Sequence, residues 1–116
     1  MASFEKLKLS ESTNGAPMAV GETESPGTLI HTAVAGTSDY DEVWLYAANV
    51  GEAAATLTIE FGGDTQAEQI IVTVEPQDGL LLVVPGLVLQ DEAEVRAFAD
   101  TADVVNICGF VNRITA

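Results

Sequence analysis

Catalysis requires side chains that can hold a proton, attack a substrate or ligate a metal, and this chain has few of them. Its 116 residues include one histidine, His31, and one cysteine, Cys108. His31 lies in "TLIHTAVA", between Ile30 and Thr32, where a satisfied or exposed strand histidine is the expected role. Cys108 lies in "VVNICGFV" and reads as a small buried hydrophobe, and a single cysteine excludes an internal disulfide. No nucleophile elbow, phosphate-cradling glycine loop or zinc-ligand spacing is present. In "FGGD", Gly62 and Gly63 suit a hairpin turn. A chain without such a constellation is expected to be no enzyme and to carry no cofactor.

The carboxylates offer two clusters, Asp39, Asp41 and Glu42 in "DYDE" and Asp91, Glu92 and Glu94 in "DEAE". Either could present several oxygens to calcium, but neither follows an EF-hand loop, so solvated loop acids are the expected reading and no metal is expected. With 18 acids in the chain, some pair will meet the separation used in glycoside hydrolysis by accident, and that spacing carries no signal. Trp44 and Tyr46 flank Leu45. Facing outward together they could stack on a sugar or a partner protein, whereas inward they would fill a core, which is the expected placement. Asn49, Asn106 and Asn112 sit in apolar runs and need partners if buried.

Charge narrows the function classes. Eighteen acids against four Lys and Arg give a net charge of −14, while apolar residues make up 47% of the chain. Such a chain repels phosphate backbones and anionic lipid surfaces, so neither nucleic acid nor membrane is an expected partner. No apolar run approaches the roughly 18 residues of a bilayer span, and the first 30 residues lack a signal peptide's continuous apolar centre. Half of the Lys and Arg residues, Lys6 and Lys8, stand in "FEKLKLSES", alternating with Phe4, Leu7 and Leu9. The alternation suits a strand that adds to an exposed sheet edge on a partner, with the lysines giving direction. Phe4, Lys6, Leu7, Lys8 and Leu9 are therefore the candidate partner-binding residues. A first strand of the chain's own sheet and a flexible terminus stay open.

The rest of the chain must position these groups. Residues 10–27 are rich in Ser, Thr, Gly, Pro and Glu, so 1–27 reads as an extended N-terminal arm and 28–116 as the folded domain. From Thr28 on, β-branched and alternating runs follow one another: "TLIHTAVA", "EVWLYAANV", "ATLTIEFGG", "QIIVTV" and "LLLVVPG", the last with Pro85 expected to stop further ladder pairing. "EVWLYAANV" is apolar on both faces, which predicts a central strand covered on each side. In "ATLTIEFGG", Leu57, Ile59 and Phe61 are expected inward and Thr56, Thr58 and Glu60 outward. "DEAEVRAFADTAD" fits helical and strand periods alike; helix propensity favours the first, and its short length among β segments favours the strand taken here. "VVNICGFVNRI" is the expected final strand. The count of about seven or eight short strands between Gly, Pro, Asp and Asn turns predicts an all-β, single-domain β-sandwich, Ig-like or jelly-roll-like.

"DEVWLYAANVGEAAATLTIEFGG", "LLLVVPGLVL" and "VRAFADTADVVNICGFVNRI", together with "KLKLSESTNGAPMAV", resemble small β-rich proteins from the structural gene clusters of tailed bacteriophages and prophages. The likeness spans nearly the whole chain and includes no catalytic motif. Within that setting the chain is similar to capsid decoration, or cement, proteins, which bind the outside of an expanded icosahedral shell as trimers or other small oligomers. The resemblance implies the major capsid protein as partner, a homo-oligomer with the trimer first, and a place on the capsid exterior of the virion after synthesis in the host cytoplasm. It transfers no binding residues. A tail or head–tail junction subunit fits the same gene cluster, and a carbohydrate or host-surface binding module using Trp44, Tyr46 and loop acids stays open.

Overall fold

A computed structural model describes residues 3–116. Nine strands follow in order: β1 (Ser3–Lys8), β2 (Met18–Ala19), β3 (Thr28–Thr32), β4 (Tyr40–Asn49), β5 (Ala55–Phe61), β6 (Gln69–Val74), β7 (Leu81–Leu89), β8 (Glu94–Ala99) and β9 (Val105–Thr115). One 3-10 turn, Gln66–Glu68, precedes β6, and the described residues contain no α-helix. The strands form two packed antiparallel sheets, one ordered β1-β9-β4-β7 with β2 added beside β9, the other β3-β8-β5-β6. The all-β sandwich expected from the sequence is the fold of this chain. Leaving the two-residue β2 aside, consecutive strands alternate between the sheets except for β5 and β6, which form a hairpin in one sheet; this is the order of an eight-stranded jelly roll, which decides between the two variants left open above.

That order gives the N-terminal residues a structural place. Ser3–Lys8 pairs along β9 from Thr115 to Phe110, and β2 continues the same edge opposite Ile107 and Asn106. Between them the chain leaves the edge at Leu9, which is fully buried, and returns to bury Val20 as well. The first strand of the roll therefore comes from within the stretch read as an arm, of which residues 1 and 2 lie outside the described residues.

Alternation explains most of the rest. β6 occupies the run "QIIVTV", and β8 is a strand with Val95, Ala97 and Ala99 buried in alternation. Lying between β3 and β5, β8 has hydrogen-bonding partners on both edges, and this ladder outweighs its helical propensity. β7 differs from expectation. It continues through Pro85 to Leu89, still paired with β4, with register shifts that leave Val83 and Gly86 as extra residues. β7 is an edge strand, and a proline without an N–H is tolerated there, next to a bulge.

The core between the sheets is aliphatic. Its fully buried members include Ile30, Val43, Leu45, Leu57, Ile59, Val84, Val95 and Ile107, with Ala47, Ala97 and Ala99 between them, and among the described residues no aromatic ring belongs to the buried hydrophobic set. β4 shows the layout most clearly: Asp41, Val43, Leu45, Ala47 and Asn49 all face inward, so an apolar stretch is closed at each end by a polar residue. Asn49 satisfies itself there, donating to the carbonyls of Ala53 and Val74 and accepting from the Gly51 N–H.

Candidate functional site

Two polar arrangements could carry function, one inside the sandwich and one on its surface. Inside, His31 is 1% exposed and has both ring nitrogens engaged. Its Nδ1 accepts the backbone N–H of Ser10 at 3.0 Å, so the proton sits on Nε2, which donates to Asp41 Oδ2 at 2.8 Å. Asp41 also accepts from Arg113, Nε to Oδ1 at 2.8 Å and a terminal nitrogen to Oδ2 at 3.0 Å, and from the Val34 N–H at 3.2 Å. Burial pushes the Asp41 carboxyl up, but the hydrogen bonds from Arg113 and His31 and the guanidinium charge outweigh it and hold the group below its ordinary value. Ser10, His31 and Asp41 are the residue types of a nucleophile relay. The geometry differs: the Ser10 contact to His31 is its backbone amide, and its Oγ instead accepts the Thr32 N–H at 2.8 Å. The cluster ties the residues after β1 to β3, β4 and β9.

On the surface, the outer face of the β1-β9-β4-β7 sheet collects side chains in register. Directly opposed residues share a face, so Phe4, Ile114 and Tyr40 form one row; Lys6, Asn112, Glu42 and Val88 a second; Lys8, Phe110, Trp44 and Pro85 a third; and Cys108, Tyr46 and Leu82 a fourth. Trp44 and Phe110 are stacked at 14° with centroids 6.2 Å apart, and the Lys6 ammonium lies 4.2 Å above the Phe110 ring. Glu42 Oε1 receives the Trp44 indole N–H at 2.7 Å and the Asn112 amide at 3.0 Å. These two donors hold the Glu42 carboxyl below its usual range. Two glycines let neighbouring strands close on Trp44, Gly86 beneath its indole and Gly109 against its backbone. A Cβ on Gly86 would come 2.7 Å from its ring, and one on Gly109 would come 2.0 Å from the Trp44 carbonyl oxygen.

Trp44 and Tyr46, expected in the core, thus face outward together, both half-buried. The reason is parity: Val43, Leu45 and Ala47 are the set that fits between the sheets, and Trp44 and Tyr46 occupy the other side of the strand. β4 is central in its sheet, but only its inner face is covered by the second sheet. Cys108 is half-buried on this same outer face, opposite Tyr46, and burial raises its thiol.

The five N-terminal candidates divide by the same rule. Phe4, Lys6 and Lys8 project from the outer face, Phe4 with 76% of its surface exposed, whereas Leu7 packs against the core and Leu9 is inside it. Arg96 and Arg113 are each ion-paired, to Glu94 and Asp41. Lys6 and Lys8 are the cations outside any ion pair among the described residues.

The two acidic clusters do not converge. Asp41 points inward and Glu42 outward, and Asp39 accepts the Ala116 N–H at 3.0 Å. Asp91 and Glu92 turn the chain between β7 and β8 with φ of +60° each, while Glu94 pairs with Arg96. Glu60, expected outward, is 1% exposed because the loop at 25–27 covers it: Ser25 Oγ donates at 2.5 Å and the Gly27 N–H at 2.7 Å. It borders a concavity of about 460 Å³ that Asp64, Glu92, Glu94 and Arg96 also line. No group of three His, Cys, Asp or Glu side chains among the described residues is placed to hold a metal ion.

Sequence reasoning missed Phe110, Glu42 and Asn112 as members of the aromatic face. Period two groups Glu42 with Trp44 and Tyr46, and Asn112 with Phe110 and Ile114, but it leaves the side open, because the opposite set on β4 also carries polar members, Asp41 and Asn49. Comparison of the chain with protein-family models, curated proteins and solved structures found no match.

Proposed function

We propose that this chain is a non-catalytic structural subunit that docks the outer face of its β1-β9-β4-β7 sheet on another protein. Following the resemblance described above, the partner is the major capsid protein, the location is the outside of a tailed-phage head, and the role is decoration that stabilises the assembled shell. One observation carries the docking reading. A chain of net charge −14 places both of its lysines and five of its seven aromatic residues on a single sheet face. Aromatic residues supply contact area with little conformational entropy to lose, and they are enriched at interfaces. Lys6 and Lys8 orient the approach toward acidic groups on the partner. Several copies acting as a homo-oligomer, with a trimer the first expectation, would span neighbouring shell subunits and add weak contacts together.

The test is co-sedimentation of the full chain with phage heads that lack it. Wild-type chain is expected to pellet with the heads, and Lys6→Ala combined with Trp44→Ala to remain in the supernatant while keeping its fold by circular dichroism. Moderate salt is expected to leave binding unchanged or strengthen it, because repulsion between neighbouring copies is screened. A wild-type chain that never pellets with heads overturns the decoration reading. A low copy number matching one ring per particle would point to a tail or head–tail junction subunit. The outward pairing of Trp44 with Tyr46 also favours a second reading, stacking on a carbohydrate, for which retention on a glycan array is the positive result.

A further inference from the structure

The edge strand β7 differs from the rest of this surface. Residues 79–89, "GLLLVVPGLVL", carry no charge, in a chain where charges of one sign dominate elsewhere. They are also unusually exposed for their type: Leu80 is 63% exposed and Val88 53%, with Leu81, Leu82 and Leu87 each near two-fifths. Leu82 and Val88 flank the outer face and Leu81 and Leu87 the inner, so apolar surface wraps around the free edge of the sheet. Acids stand at both ends of the run, Glu75 and Asp78 before it and Asp91 and Glu92 after it.

A free apolar edge invites strand addition, but β7 is poorly made for that. Pro85 offers no N–H, and the extra residues Val83 and Gly86 interrupt its spacing. The apolar side chains remain available even though a regular ladder does not. We infer that the β7 edge is the surface on which a second copy of this chain packs, through side chains and not through a shared sheet.

Charge selects that occupant. Two copies of a −14 chain repel one another acid to acid, and an uncharged surface on both lets them approach without that repulsion. The β7 edge provides this surface on each copy, and contact there removes apolar surface on both while desolvating no charge. A basic partner would find no acid to pair with along residues 79–89, and its gain would lie elsewhere on the molecule. The acids at the ends of the run would sit at the rim of such a contact, where salt screens their repulsion. The inference concerns self-association alone and does not depend on what the lysine-bearing face docks on.

The experiment is light-scattering mass of the full chain over a range of concentrations, at low and at moderate ionic strength. Wild type is expected at a multiple of the monomer mass, with assembly favoured by moderate salt. Leu87→Glu is expected to weaken assembly by at least about tenfold. Leu80→Glu is expected to do the same; Leu80 lies outside the strand, so this variant keeps the fold intact. Phe4→Ala, on β1 at the opposite edge of the sheet, is expected to leave the mass unchanged. A wild-type chain of monomer mass under all conditions overturns the inference, as does an oligomer that persists in both glutamate variants.

Discussion

His31 and Asp41 meet inside the sandwich, Nε2 to Oδ2 at 2.8 Å, and the other side of each is taken by a different part of the chain. Ser10 holds the far nitrogen of the imidazole, and Arg113 grips the carboxylate with two hydrogen bonds. One pair of side chains thereby joins the residues that follow the first strand to the last strand. Replacing Asp41 by Ala leaves Arg113 and His31 without their acceptor. Loss of one partner from a buried charge pair costs about 3–5 kcal/mol. Arg113→Ala should cost less, since its side chain is 30% exposed and water can solvate part of the vacated site. Urea unfolding of both variants checks the order, and equal losses would contradict it.

The same pair sets a pH dependence. The Asp41 carboxyl is held below its ordinary value of 3.8 when the chain is folded, so folding favours its ionised form. Its contribution is therefore complete above that value and is lost as pH falls through it toward the lower folded value. Asp41→Asn lacks this contribution at every pH. The stability gap between wild type and Asp41→Asn is expected to be widest near neutrality and to shrink below about pH 4. A gap of constant size across the acid range would place the effect of Asp41 elsewhere.

Leu9 and Phe4 lie five positions apart in the same N-terminal stretch and should respond oppositely to truncation. Leu9 is fully buried, and Leu→Ala at such a site costs about 2–5 kcal/mol. Phe4→Ala, at a surface position, should shift the unfolding midpoint little and act on docking instead. Deleting residues 1–9 would remove β1 and Leu9 together, so lost docking in that variant would report lost structure. Point variants with parallel urea curves separate the two effects, and a stable Leu9→Ala would show that this leucine is not a core residue.

Gly109 permits β9 to pass against the backbone of Trp44. Its φ is +154°, and an added methyl would overlap the Trp44 carbonyl oxygen. Gly109→Ala is expected to destabilise by about 1–3 kcal/mol through overpacking and to disturb the Trp44–Phe110 stack. The chain has a single tryptophan, so its emission reports the disturbance directly. Unchanged emission together with unchanged stability would mean that the strands have room the geometry denies.

Local pattern made much of this fold legible. The alternation of "QIIVTV" placed β6, and turn residues marked the gaps between strands, because side-chain period and turn chemistry are properties of a few adjacent residues. Besides the expected inward placement of Trp44 and Tyr46, two further local readings failed for identifiable reasons. Pro85 was expected to stop a ladder, but being on an edge strand is a fact about neighbours. Glu60 was expected in solvent, but the loop at 25–27 folds over it.

Composition and periodicity alone determined that this chain is an acidic, cysteine-poor β-sandwich. Only the tertiary structure decided which apolar face of β4 turns inward, since Val43-Leu45-Ala47 and Trp44-Tyr46 are both apolar and the choice depends on what the opposite sheet accommodates. It also decided that Lys6 meets Phe110 and that Asp41 meets Arg113, residues 72 positions away, because the jelly-roll order lays the first, fourth and last strands in one sheet. Pairings at that distance depend on how strands are arranged in space, and no spacing along the chain encodes them.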